Sequence, residues 1–211
     1  AQLEQDMATA LALAPPHISI YHLTIEPNTY FAKFPPSIPD QDAAYDMLDR
    51  ITDMTQAAGL ERYEVSAYAR EGHRCWHNLN YWKFGDYLGI GAGAHSKLSF
   101  AHRIVRQVRH RDPRLYMEKA LAMDCVASSD EVPRSDLPFE FMLNALRLKA
   151  GFTLSHFMER TGLPISSIEP GLAQAVSGGL VTRDLSAVVP TARGFDFLTD
   201  LQSLFLPAAG S

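Results

Sequence analysis

Residues 73–82 read HRCWHNLNYW and gather His73, Cys75 and His77 beside Asn78, Tyr81 and Trp82. Histidine and cysteine are ready donors to a transition metal, and asparagine and tyrosine add polar contacts to a bound ligand. The H-x-C-x-H spacing is not that of a closed zinc site. An irregular segment that contacts a ligand through His77, Asn78 and Tyr81 is the expectation here, while Tyr81 and Trp82 can also anchor it to a core. Downstream, YLGIGAGA (87–94) sets Gly89, Gly91 and Gly93 in strict alternation ahead of His95. The run formally satisfies the dinucleotide pattern G-x-G-x-x-G/A, but no strand ending in an acidic residue follows about 20 positions on. Alternation predicts instead a strand with one face stripped of side chains, cleared for a planar ligand or for another backbone packed close.

A third group is basic. Residues 96–119 hold seven Lys/Arg against two acids, with Arg103, Arg106, Arg109, Arg111 and Arg114 among them. Guanidinium pairs with phosphate or carboxylate, and a solvated surface stretch has the same composition.

Elements must position these groups. Leu3, Met7, Leu11 and Ala14 recur at helical spacing until Pro15-Pro16 stops them. HISIYHLTI (17–25) reads as a buried strand that breaks at Glu26-Pro27-Asn28. Asp40 can cap a helix with Tyr45, Leu48, Ile51 and Met54 on one face and Gly59 at its end. YEVSAYA (63–69) then reads as a strand, and this helix–strand order predicts a parallel βαβ sheet in an α/β fold. Beyond residue 130 the pattern becomes helices in 136–149, 154–161 and 165–177, paired strands through 180–190, and a last helix in 192–204. That order is helix, turn, helix, wing. Its second helix carries Glu169 and no Lys or Arg, and residues 130–211 hold six basic and nine acidic residues. Phosphate attraction is therefore missing, nucleic acid is not an expected partner, and a cover or docking role is.

Composition sets the frame. A chain of 211 residues with net charge −5 can bury one sizeable core or two small ones. Two cysteines, Cys75 and Cys125, form no disulfide framework, no apolar run approaches a membrane span, and no signal peptide is visible, which together predict a cytoplasmic protein. The chain enters an amphipathic pattern at once, without an initiating Met, as expected of a piece whose natural N-terminus lies upstream.

Taken together, HISIYHLTIEPNT (17–29), YEVSAYAREGHRCWHNLNYW (63–82) and GDYLGIGAGAHS (85–96) resemble the HemN family of radical S-adenosylmethionine proteins, the oxygen-independent coproporphyrinogen III oxidase-like proteins. Within it they resemble the HemW branch, whose H-N-x-x-Y-W signature is matched by His77, Asn78, Tyr81 and Trp82. The resemblance implies that these four residues contact heme. It implies a parent with a partial (β/α) barrel, a [4Fe-4S] cluster on a C-x-x-x-C-x-x-C loop, and S-adenosylmethionine cleaved at that cluster. Thr24, Gly91, Gly93 and His95 match positions that touch S-adenosylmethionine, although His95 stands where the oxidases are apolar, which leaves a heme contact open there. The cluster loop is not in this sequence, so the chain alone is expected to be inactive. The implied organisation is the late part of the barrel over 1–100, a basic connecting segment over 101–130, and a winged-helix-like C-terminal domain over 131–211. The implied function is heme binding and transfer, with a heme-recipient protein as a possible partner. Oxidative decarboxylation in porphyrin biosynthesis is one alternative, and a non-catalytic protein-docking module is another.

Overall fold

A computed structural model describes residues 2–207; residue 1 and residues 208–211, the outermost ends of the compositional segments, lie outside the described residues. The chain divides into two compact units at Cys75/Trp76.

In the first unit, helix α1 (Gln2–Ala12) buries Met7 and packs on α3 (Gln41–Ala57) through Ile51, with Leu60 and Tyr68 completing a small core. Arg50 of α3 donates to Glu4 of α1 at 2.9 Å. Asp40 caps α3 by accepting from the Ala43 amide at 2.8 Å, and Gly59 follows the helix at φ +76, as its sequence predicts. Tyr45, placed on the apolar face by spacing, is exposed; Thr55 is buried instead, its hydroxyl bonded back to the Ile51 carbonyl at 2.9 Å. The strand predicted over 17–25 is shorter: β1 covers His17–Ser19, the Ile20 amide still bonds to the Ser66 carbonyl at 2.8 Å, and the chain then runs outside any strand to a turn at Pro27-Asn28, where Asn28 has φ +62. A short helix α2 (Tyr30–Lys33) lies before α3.

The predicted parallel sheet is corrected by the strand directions. β2 (Glu61–Arg62) and β3 (Ala67–Ala69) form a tight hairpin, and β3 slots between β1 and β2, antiparallel to both. The helical crossover through α3 does leave β1 and β2 running the same way, but a hairpin partner occupies the place between them. A connection as short as 63–66 permits only antiparallel pairing.

The second unit opens with helix α4 (Trp76–Trp82). Strands β4 (His95–Ser99) and β5 (Ile104–Arg109) pair antiparallel; after α5 (Pro113–Leu121), β6 (Val126–Glu131) joins the far side of β5. The basic stretch thus supplies β5, the central strand of a sheet. Helix α6 (Leu137–Ala145) leads to β7 (Phe152–Thr153), α7 (Leu154–Thr161), a 3-10 turn at Ile165–Ser167 and α8 (Glu169–Ser177). The hairpin β8 (Val181–Arg183) and β9 (Ala187–Pro190) makes a sheet of order β7-β9-β8, and α9 (Ala192–Asp196) and α10 (Leu198–Ser203) complete the unit. Thr153 caps α7, and Gly162 ends it at φ +66 with its amide on the Met158 carbonyl at 2.9 Å.

Phe141 is the hub of the larger core. Its ring meets Phe84 at 5.7 Å, Phe152 at 5.1 Å and Phe157 at 5.2 Å, each edge to face, the arrangement that aromatic quadrupoles favour. Phe84 brings the end of the α4 segment into this core, and Ile104 brings β5.

Candidate functional site

The HNLNYW segment is a helix, not the irregular loop expected from its polar and aromatic composition. Helical spacing sorts its residues: positions four apart share a face, so His77 pairs with Tyr81 and Asn78 with Trp82. The His77 and Tyr81 rings meet at 4.9 Å, nearly perpendicular, and Tyr81 in turn lies 4.6 Å from Tyr87. The Tyr87 hydroxyl accepts from Arg106 at 3.4 Å, and Arg106 forms a short ion pair with Glu140 of α6. His77 is exposed, and its ring nitrogens make no hydrogen bond among the described residues. Trp82 faces the other way. The Arg147 guanidinium lies 4.2 Å over its ring, and its indole N–H is buried without an acceptor among the described residues.

The helix is fastened just after its end. Phe84 takes φ +53, and Gly85 follows because a Cβ there would lie 2.1 Å from the Asn80 side chain. The Asn80 amide donates to the Asp86 carbonyl at 2.9 Å. Lys97 of β4, 2% exposed, reaches back with its ammonium 3.0 Å from the Phe84 carbonyl, 3.1 Å from Asp86 Oδ1 and 3.1 Å from Ser99 Oγ. The same ammonium sits 4.0 Å over the Phe84 ring. Burial pulls Lys97 below the ordinary lysine range against the opposing pull of Asp86. Burial pushes Asp86 up, but the Ser99 hydroxyl and amide together with Lys97 outweigh it and hold the carboxyl below its ordinary value. Nothing in the spacing of Asp86 and Lys97 marks them in the sequence.

The glycine run is corrected from strand to folded loop. Between the bridge at Tyr87 and the start of β4 there is no strand; Gly91 and Gly93 have φ +114 and +72, conformations that side chains resist. Gly89 is needed for another reason: a Cβ there would lie 2.2 Å from the His95 carbonyl oxygen. Of the three, only Gly89 is packed close against the chain's own backbone; a Cβ at Gly91 would meet nothing within 4 Å. Each glycine amide has an internal acceptor: Gly89 N–H gives to Ser96 Oγ at 2.9 Å, Gly91 N–H to the Tyr116 hydroxyl at 3.0 Å, and Gly93 N–H to the His110 carbonyl at 2.8 Å. A phosphate cradle needs those amides free, which agrees with setting the dinucleotide pattern aside. His95 is exposed at the start of β4, while Thr24 is exposed in the first unit. Of the arginines considered for anions, Arg106 is held by Glu140 and Arg109 donates to the Gly89 carbonyl at 3.2 Å.

Residues 132–197 match the HemN C-terminal domain. Over 202 residues, 95% of this chain, it is 43% identical to the heme chaperone HemW of Escherichia coli (strain K12) and covers 52% of that protein. This chain is similar to HemW over nearly its whole length. Identity to the heme chaperone HemW of Haemophilus influenzae is 41% over 202 residues, with the same shares, and to that of Bacillus subtilis 31% over 198 residues, covering 91% of this chain and 51% of that one. The chain spans about half the length of the curated relatives it matches. Among solved structures, the coproporphyrinogen III oxidase HemN of Escherichia coli, titled a radical SAM enzyme, is similar with a TM-score of 0.70 over 94% of this chain and 50% of that one. At 14% identity that likeness is one of fold. The resemblance read from the three motifs is thus borne out, and the fold is mixed α/β.

The groups this kinship implies can be tested against the residues present. An exposed imidazole on a short helix, backed by a tyrosine ring, fits a heme contact. Three thiolates for a [4Fe-4S] cluster do not fit Cys75 of the first unit and Cys125 of the second, and no group of three His, Cys, Asp or Glu side chains suited to a metal ion occurs among the described residues. No described helix is long and apolar enough to cross a membrane.

Proposed function

We propose that this chain carries the heme-contacting part of a HemW-like heme-binding and heme-transfer protein of the radical S-adenosylmethionine family. The observation that carries the reading is the exposed His77 imidazole, backed by Tyr81 on a helix that the Lys97–Asp86 tie holds in place. The names of the relatives at 31–43% identity support it. Asn78 and Trp82 complete the heme-contacting set. The first 100 residues are read as the late part of a partial (β/α) barrel, with Thr24, Gly91, Gly93 and His95 on the S-adenosylmethionine side. Residues 101–130 connect it to a winged-helix-like domain over 131–211, a reading supported by α7, the 3-10 turn and α8 followed by the β8–β9 hairpin. Kinship implies S-adenosylmethionine and a [4Fe-4S] cluster in the full-length protein, which would work in the cytoplasm and hand heme to a recipient protein. Titration of the chain with hemin tests the reading. A saturable Soret shift that His77→Ala removes is expected, and the absence of saturable binding would overturn it.

A further inference from the structure

A cavity at the end of α4 is lined by Trp82 and not by His77. It encloses about 440 Å³, in the range of small-molecule sites, and Trp82, Lys83, Leu148, Phe152, His156 and Arg160 are among its lining residues. Leu148 and Phe152 are buried and make an apolar floor. Gly151 belongs to the same wall, at φ +63, and a Cβ there would lie 1.9 Å from the Val188 carbonyl oxygen, so the backbone passes where no side chain can stand. His156 donates Nε2–H to the Lys83 carbonyl at 2.9 Å and so ties α7 to the end of the α4 segment across the cavity's edge. Lys83 and Arg160 are exposed side chains, and no Asp or Glu lines the cavity among the described residues. The Trp82 indole N–H, without an acceptor among the described residues, belongs to a lining residue that is also the last of the heme signature.

An apolar hollow with two cations and no acid selects for a particular chemistry. Its floor favours a hydrophobic body, which a free phosphate lacks, and its cations favour a carboxylate, which a neutral hydrophobe lacks. We propose that this cavity takes the carboxylate-bearing edge of an apolar ligand. A porphyrin bearing propionates is the instance that rests on the heme reading above; a fatty acid is the other source of the same chemistry.

Protoporphyrin IX, which has no iron to ligate, is the probe, and its fluorescence on titration with the 211-residue chain is the readout. The free acid is expected to bind at least about tenfold more tightly than its dimethyl ester, and the Lys83→Ala/Arg160→Ala double variant to lose at least about tenfold in affinity for the acid. Displacement of the porphyrin by oleate assigns the site to apolar carboxylates at large; retention assigns it to porphyrins. Equal affinity for acid and ester, undiminished binding by a double variant with unchanged circular dichroism, or no binding of protoporphyrin IX at all overturns the proposal. Those results leave the hemin titration of His77→Ala to decide the heme reading separately, and a failure of hemin to shift its Soret band leaves the protoporphyrin result to decide this one.

Discussion

Lys97 and Asp86 are joined at 3.1 Å with unequal surroundings, the ammonium 2% exposed and the carboxylate side chain 40% exposed. Removing the acid strands a buried charge on neutral acceptors, whereas removing the base leaves an acid that still reaches water and Ser99. Asp86→Ala is therefore expected to cost about 2–3 kcal/mol, below the full cost for a wholly buried pair because Asp86 is partly solvated. Lys97→Met should cost less. Urea denaturation with unchanged m values measures both, and the reverse order would refute the account.

The same carboxyl makes stability depend on acid. Asp86 is held below its unfolded value, so its contribution is complete above about 3.9 and is lost as pH falls through that value toward the lower folded one. The urea midpoint should fall more steeply below about pH 4 in the parent than in Asp86→Asn. Parallel acid limbs would remove Asp86 from the explanation.

The glycine loop offers a contrast within one run. Gly89→Ala forces a methyl group to within 2.2 Å of the His95 carbonyl oxygen, where backbone must move, and an expected loss of about 3 kcal/mol follows. Gly91→Ala meets no atom within 4 Å and pays only for its backbone at φ +114, about 1–2 kcal/mol. Thermal melts of the two variants should rank in that order.

Trp82 can be watched directly. Trp76 is 82% exposed, so Trp76→Phe leaves Trp82 as the single tryptophan without disturbing a core. In that background Arg147→Met should change the emission intensity of Trp82 and lower stability by about 1 kcal/mol through loss of the cation–π contact. Unchanged emission would argue that the guanidinium does not rest on the ring in solution.

What the sequence made legible was mostly local. Asp40, Gly59 and the order of elements beyond residue 130 carry their signals within a few positions, through caps, stops and helical period. The direction of the first sheet depends on which strand enters between β1 and β2, a matter that periodicity does not address. The helix Trp76–Trp82 escaped notice because seven residues without an apolar stripe give no period to read. The three glycines fit strand alternation as well as they fit a folded loop, and only positive φ and the approach of His95 separate the two. Lys97 is invisible as a buried residue because the atoms that receive its charge belong to positions 84, 86 and 99, brought together by the fold.

The stretch similar to the HemN C-terminal domain, residues 132–197, is smaller than the hydrophobic core it belongs to. The hydrophobic cluster around Phe141 also takes in Phe84 and Ile104 from before that stretch and Leu201 and Phe205 from after it. Sequence similarity and packing therefore draw different borders here. Cut out at the borders of that match, the stretch would bare to water the faces that Phe84, Ile104, Leu201 and Phe205 cover, and the helix bearing His77 would be severed from the core on which its orientation depends.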